Sequence, residues 1–194
     1  MTETDVCNLA LGMLGHDRAI TGDFRTATST EALRCRLHFD ACRRRVLSCR
    51  DWMFAEDRVT LYGAEGCGGA ASVMQAMRLP GDCLNVIRAH LPGRETDPVG
   101  WEPRAGHAIA CDRAPSVIVY IRDVTDMDLW PQQPLDAFAA ELAASLAGAL
   151  TASVEKTANA KKEARAVLDD ATVWNARQFP RRVQDPRRYE RSRS

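Results

Sequence analysis

Cysteine and histidine side chains recur at helical intervals in the segment CRLHFDACRRRVLSC, residues 35–49. Cys35, His38 and Cys42 are separated by three and four residues, so on a helix they point in similar directions. With a fourth ligand from elsewhere they could hold zinc, or the thiols could act as a redox switch. Structural zinc ligands normally come in close pairs on turns, and the chain has no CxxC pair. We therefore expect neither a metal site nor a cofactor. The alternative is that the protein is a metal-binding or thiol-switch regulator that uses these side chains.

The same cysteines belong to an apolar stripe on a predicted helix that begins at Ser29 or Thr30. The stripe alternates three- and four-residue steps, which is typical of a helix that packs one face against other helices. Its members are Ala32, Cys35, Phe39, Cys42, Val46, Cys49 and Met53. Because a free cysteine behaves as a small hydrophobic side chain, we expect buried thiols. The opposite face is predicted to contact solvent or a partner and carries Arg34, Arg36, Asp40, Arg43, Arg44 and Arg45.

Composition indicates one soluble globular domain. The 194 residues are 45% hydrophobic and 27% charged, and 26 basic residues balance 26 acidic ones. A neutral total excludes a global attraction to nucleic acid or anionic lipid. The seven cysteines are an odd number, which favours reduced thiols. The N-terminal residues lack signal-peptide features, and no apolar run is long enough to cross a bilayer, so we expect a cytoplasmic chain without membrane contact.

Catalytic motifs are missing from the sequence. It contains no P-loop, dinucleotide fingerprint, G-x-S-x-G or HExxH. The histidines, His16, His38, His90 and His107, are scattered and are expected in loops or at the surface. Cys67 lies in a Gly/Ala loop without a neighbouring base, and Asp169 and Asp170 point in different directions on a helix. These observations favour a structural or interaction protein over an enzyme.

The pattern predicts a mainly α, α+β fold: a bundle of about four helices, an inserted antiparallel β-rich subdomain and an extended C-terminal arm. We assign residues 1–62 and 134–178 to the bundle, 63–133 to the insertion and 179–194 to the arm. The first helix is predicted over 5–14. Four short β-compatible runs, VMQAMRLP, CLNVIRAH, HAIACD and SVIVYIRD, favour a meander or small sandwich. The closing helices carry stripes at Leu135, Phe138, Ala139, Leu142, Leu146 and Leu150, then Ala164, Val167, Leu168, Ala171 and Trp174.

The C-terminal arm is rich in arginine and has almost nothing to bury. We expect it to be disordered in isolation and to order on a partner. A nucleic-acid-binding role is the second alternative. Only Phe179 and Tyr189 interleave the arginines, so the arm offers few rings on which bases could stack.

Three segments in order resemble a known family. They are VCNLALGMLGHDRAI, ALRCRLHFDACRRRVLSCRDWMFAEDRVTL and MRLPGDCLNVI. The motifs within them are N-x-A-L-x-x-L-G at residues 8–15, W-x-F-A at 52–55 and L-P-x-D-C-L at 79–84. Together with the alanine-rich closing helices, they resemble the tail tubular protein A family, the head-to-tail adaptor of short-tailed bacteriophages. The resemblance extends to about residue 178.

The resemblance implies a non-enzymatic virion protein that forms a ring, expected to be a dodecamer, in the neck of the tail. Such a ring joins the portal protein to the tail nozzle protein and continues the channel for DNA ejection, without sequence-specific contacts to the passing genome. It would be assembled in the host cytoplasm. In the family the C-terminal segment reaches the portal. That expectation falls on Arg181, Arg182, Arg187, Arg188, Tyr189, Arg191 and Arg193.

Overall fold

Side-chain caps determine where the first two helices begin. In the computed structural model, which describes residues 1–62, 75–151 and 153–178, α1 spans Glu3–Met13 and α2 spans Thr30–Ser48. Thr2 and Asp5 form a reciprocal capping box at α1, and the Ser29 hydroxyl accepts from the Ala32 amide at α2. Each cap satisfies amides that the first helical turn leaves unpaired. Both helices start within two residues of their predicted positions.

Two further helices close the chain after a β-rich middle. α3 spans Gln132–Leu150 and α4 spans Val154–Gln178, so the described part of the chain contains the four predicted helices. Helix α3 packs against α1, α2 and α4 and is the centre of the bundle. The predicted α+β, mainly α fold class is confirmed. The Gly/Ala loop at 64–72 with Cys67, and the arm at 179–194, lie outside the described residues.

The β-rich middle forms two antiparallel sheets. The larger has the order β1–β7–β3–β4 and the smaller β2–β6–β5. The strands are β1 Glu56–Leu61, β2 Gln75–Arg78, β3 Cys83–Leu91, β4 Arg94–Pro98, β5 Trp101–Arg104, β6 Ala108–Cys111 and β7 Ser116–Arg122. The four predicted runs correspond to β2, β3, β6 and β7. Side chains of both sheets share one apolar cluster, which agrees with the small-sandwich alternative.

Three strands were missed because none of their side chains is fully buried. β1, β4 and β5 each pair on one side only and carry half-buried or exposed side chains, so their sequences EDRVTL, RETDP and WEPR show little apolar alternation. Prolines are tolerated at such edges because one row of amides faces away from the ladder. β1 begins at Glu56, ahead of residue 63, where the sequence predicts the β-rich insertion to start.

Strand β7 separates two apolar cores. Ile118 belongs to the cluster between the sheets, whereas Ile121, on the other face of the strand, belongs to the bundle core. A strand buried on both faces reads as a continuous apolar run, which is why SVIVYIR was recognisable. In the bundle core, Phe138 contacts Phe39 and Trp130 with ring centroids 5.0 and 5.5 Å apart.

The apolar stripe of α2 ends earlier than predicted. Ala32, Cys35, Phe39, Cys42 and Val46 are buried. The helix then ends at Ser48, with Cys49 half-buried as its C-cap. Met53 follows in a separate 3-10 turn and is 39% exposed, so its assignment to the stripe was wrong. A stripe continues only as long as its helix does.

Candidate functional site

The motifs of the first two segments hold the helices to their neighbouring loops. Asn8 on α1 donates from Nδ2 to the Ile20 carbonyl at 3.1 Å and accepts the Ile20 amide at 2.7 Å. Its amide therefore ties the loop after α1 back onto the helix. Trp52 is fully buried and donates its indole N–H to the Val46 carbonyl at 2.7 Å, which closes the end of α2.

The third segment forms the turn into β3. The Cys83 amide donates to the Pro80 carbonyl, and the Asp82 carbonyl accepts the Asp123 amide at 2.7 Å. Asp123 follows β7, and its carboxylate accepts from Arg43 Nε at 3.0 Å. Asp123 thus connects the third segment to α2, within the second segment.

Arg43 corrects the predicted polar face of α2. It is 3% exposed, although it was assigned to the solvent or partner side. Its guanidinium forms two hydrogen bonds to Asp123 and another to Asp40, and Arg44 also donates to Asp123. Burial tends to raise the pKa of Asp123, but the bonds from Arg43 and Arg44 outweigh it and hold the pKa below its usual value. The pair fastens α2 to the sheets.

The cysteines of α2 face different partners. The pKa of Cys7 on α1 is raised by its hydrogen bond with Cys35 and by burial. Cys42 donates to Ser145 Oγ at 3.2 Å, and burial raises its pKa as well. His38 is half-buried, and no cluster of three His, Cys, Asp or Glu side chains suited to a metal ion occurs among residues 1–62, 75–151 and 153–178. These are the contacts of packed thiols.

Four of the other polar side chains singled out by the sequence contact neighbouring groups in the fold. His16 pairs with Glu31 at 3.0 Å, and His107 contacts the Pro80 carbonyl at 2.6 Å. His90 was expected in a loop or at the surface, but it lies in β3 and is 4% exposed, beside the Leu91 carbonyl. Asp169 lies 3.5 Å from Arg50 on the bundle surface. None of these contacts brings an acid, a base and a nucleophile together.

One open depression of about 500 Å³ lies where α1 begins. Its acidic side chains are already engaged: Glu3 accepts two bonds from Arg25, Asp5 accepts the Thr2 amide, and Asp23 accepts the Arg25 amide. The depression is therefore a surface groove between satisfied groups.

Exposed leucines on α2 were missed by the sequence analysis. Leu33 and Leu37 are 49% and 68% exposed and lie one turn apart on the side away from the buried stripe. The signal was present in the sequence, since both leucines fall outside the three-and-four pattern of the stripe. Two exposed leucines one turn apart make this outer helix face a candidate surface for interaction.

The predicted portal-binding residues, Arg181, Arg182, Arg187, Arg188, Tyr189, Arg191 and Arg193, lie outside the described residues. No helix in the described ranges combines the length and apolar character needed to cross a membrane. A scan of the chain against protein-family models finds no match, and a search of curated proteins finds no similar sequence.

Proposed function

We propose that the protein is a virion structural protein, the head-to-tail adaptor that joins the portal to the tail nozzle of a short-tailed bacteriophage. It would act by binding, without enzymatic activity, and would continue the DNA exit channel in the neck of the tail. The observation that carries the proposal is the order of three motif-bearing segments along a helix–helix–sheet–helix–helix chain. Each segment alone would be a weak signal.

The motif residues make contacts that a shared fold would require, which supports the resemblance. Asn8 closes the first loop, Trp52 closes α2, and Asp82 connects the β3 turn to Asp123. Each of these contacts supplies a hydrogen bond to a backbone carbonyl, and buried carbonyls require such partners. Residues that determine a fold in this way are the ones expected to recur among chains that share it.

The arm would supply the portal contact. Its six arginines each offer a planar guanidinium, which can bind carboxylates with two parallel hydrogen bonds. A neutral total charge also suits a channel for DNA, because strongly cationic walls would bind the passing phosphates.

The test is assembly with a portal protein from the same genome. Mass photometry of the mixture should show portal particles that gain many copies of the protein. Deleting residues 181–194 should abolish the gain, while the melting temperature of the free protein stays nearly unchanged. Replacing the six arginines of the arm with glutamine is the matched control for charge at constant length, and it should reproduce the deletion.

Two results would argue against the adaptor role. No association with the portal at any ratio, together with salt-sensitive DNA binding that is lost on arm deletion, would favour the nucleic-acid alternative. Stoichiometric zinc in protein purified without added metal would favour the metal-binding alternative.

A further inference from the structure

The outer face of α2 combines apolar and cationic side chains. Leu33, Leu37 and the exposed Ala41 follow one another at four-residue steps, and Arg34 lies beside them. Arg34 is exposed and forms no ion pair with any described residue. Arg44, on the same side, keeps 60% of its side chain exposed despite its bond to Asp123. We call Leu33, Arg34, Leu37 and Ala41 the leucine–arginine face.

A second surface has the opposite charge. Asp126, Asp128 and Leu129 lie in and before the short 3-10 turn that precedes α3, and all three are exposed. The Leu129 side chain is 50% exposed, and the Asp128 side chain is 77% exposed although it accepts the Met1 amino group at 2.7 Å. We call these three residues the acidic corner.

Among the described residues, the ion pair of the acidic corner joins Asp128 to the Met1 amino group, and Asp126 forms none. Between Arg122 and Lys156 the chain contains no lysine or arginine, whereas Arg34 and Arg44 are exposed on the outer face of α2. Each surface therefore offers an exposed leucine beside charges of one sign, and the signs are opposite. Such complementarity favours contact between the two different surfaces and disfavours contact between two identical surfaces.

We propose that the leucine–arginine face of one copy of this chain binds the acidic corner of a second copy. Leu33 and Leu37 would cover Leu129, and Arg34 would pair with the carboxylates of Asp126 and Asp128. Because the two surfaces are different, each copy can offer one to each neighbour, and the copies form a ring where the rotation between them closes. This contact deepens the adaptor proposal, on which its closure into a ring rests.

The contact should be weak between free copies. A few turns of helix against one corner cover less surface than the roughly 1,200 Å² that stable interfaces bury in total. We therefore expect the contact to be short-lived in dilute solution and to require trapping.

Disulfide trapping between two variant chains tests the contact. A Leu37→Cys chain is mixed with an isotope-labelled Leu129→Cys chain at high concentration, under copper phenanthroline and oxygen. Oxygen accepts the two electrons and two protons as the two thiols become one disulfide. We expect a mixed disulfide joining positions 37 and 129, identified by peptide mass, because a disulfide forms only where Cβ atoms approach within about 4.5 Å.

Matched controls separate the proposed contact from random collision. A Val173→Cys chain carries its thiol at a side chain that is 49% exposed on α4, and it should give at least about tenfold less mixed disulfide with the Leu37→Cys chain. Mixing the unaltered chain with each variant chain measures the yield of links that form through the native cysteines. Equal yields from positions 129 and 173 would overturn the inference.

Reversing the charges on the two surfaces provides a second test of the contact. Adding Arg34→Glu to the Leu37→Cys chain should lower the yield about tenfold, and adding Asp128→Arg to its partner should restore most of it. A yield insensitive to both changes would overturn the inference. If portal attachment occurs without the 37–129 link, this inference fails alone. If the link forms but the portal does not bind, the adaptor role fails alone.

Discussion

The two closing helices are built on different principles. α3 buries 11 of its 19 residues, including Phe138, Leu142 and Leu146, whereas α4 buries only Ala164 and Ala171 among 25. α3 is surrounded by α1, α2 and α4, but α4 lies outside and contacts α3 through small side chains. The length of a helix therefore says little about how much it contributes to the core.

We call the contact of Ala164 on α4 with Ala140 and Ala144 on α3 the alanine seam. Polar contacts supplement it. Arg50 donates to Thr172 Oγ1 at 3.1 Å, and Asn175 donates to the Asp51 carbonyl at 3.0 Å. Both contacts involve the segment that follows α2, so the C-terminal half of α4 is held at two places. We expect α4 to open at a lower free energy than α3, because few apolar contacts hold it.

The largest effect is expected from Phe138→Ala on α3. Removing a fully buried ring between Phe39 and Trp130 should lower the free energy of unfolding by about 3–5 kcal/mol. Urea unfolding followed by circular dichroism measures the change. A loss below about 1 kcal/mol would mean that the core refills the space, and it would contradict the central position of α3.

A pair of Arg–Asp contacts extends the comparison to charges. Asp123→Asn leaves the buried Arg43 with only Asp40, and we expect a loss of roughly 3 kcal/mol, the lower end for breaking a buried pair. Asp169→Asn removes the carboxylate partner of Arg50, whose side chain is 39% exposed, and should cost less than about 1 kcal/mol. Equal losses in urea unfolding would contradict the difference between buried and exposed pairs.

The same pair predicts a dependence on pH. Because the pKa of Asp123 is lower in the folded protein than its ordinary value of 3.8, its contribution is fully present above that value and is lost as the pH falls through the folded pKa. The stability advantage of the natural protein over Asp123→Asn should therefore shrink below about pH 4. An advantage that stays constant down to pH 2 would argue against a charged Asp123 in the folded protein.

Overpacking the alanine seam should detach α4 without unfolding the bundle. Ala164 packs on Ala140 and Ala144, so Ala164→Leu leaves no room for the larger side chain and should cost about 1–3 kcal/mol. Hydrogen exchange should accelerate in α4 more than in α3. Ala166→Leu, at an exposed position two residues away, is the control and should leave exchange unchanged. Faster exchange throughout α3 would show that the two helices open together.

The smallest effect is expected at Val154, which is 88% exposed at the first position of α4. Val154→Ser should change the free energy of unfolding by less than about 0.5 kcal/mol, as is usual for exposed positions. A larger loss by urea unfolding would indicate that Val154 packs on a surface of another copy or on a partner.

Local pattern predicted the helices because their periodicity reports burial directly. The stripes of α2 and α3 and the Ser29 cap could be read from neighbouring residues. Arg43 could not, because the residue that pairs with it in the core, Asp123, lies 80 residues away in the sequence. Its position four residues before the buried Leu47 was the only local signal.

The exposed leucines of α2 and the missed strand β1 differ in the same way. The exposed leucines of α2 could have been recognised as apolar residues on the wrong side of a helix. The edge strand β1 could not be recognised, because its pairing with β7 joins residues about 60 positions apart, such as Glu56 and Ile121. Contacts between distant segments decide such cases, and a single sequence does not contain them.

The four tryptophans make the molecule its own spectroscopic probe. Trp52 and Trp130 each donate an indole N–H to a carbonyl six residues earlier, Val46 and Val124, and are shielded from water. They should therefore emit at shorter wavelengths than the partly exposed Trp101 on β5 and Trp174 on α4. With Trp101 and Trp174 replaced by phenylalanine, the remaining fluorescence would report on the buried Trp52 and Trp130. The opposite replacement would leave fluorescence from β5 and α4.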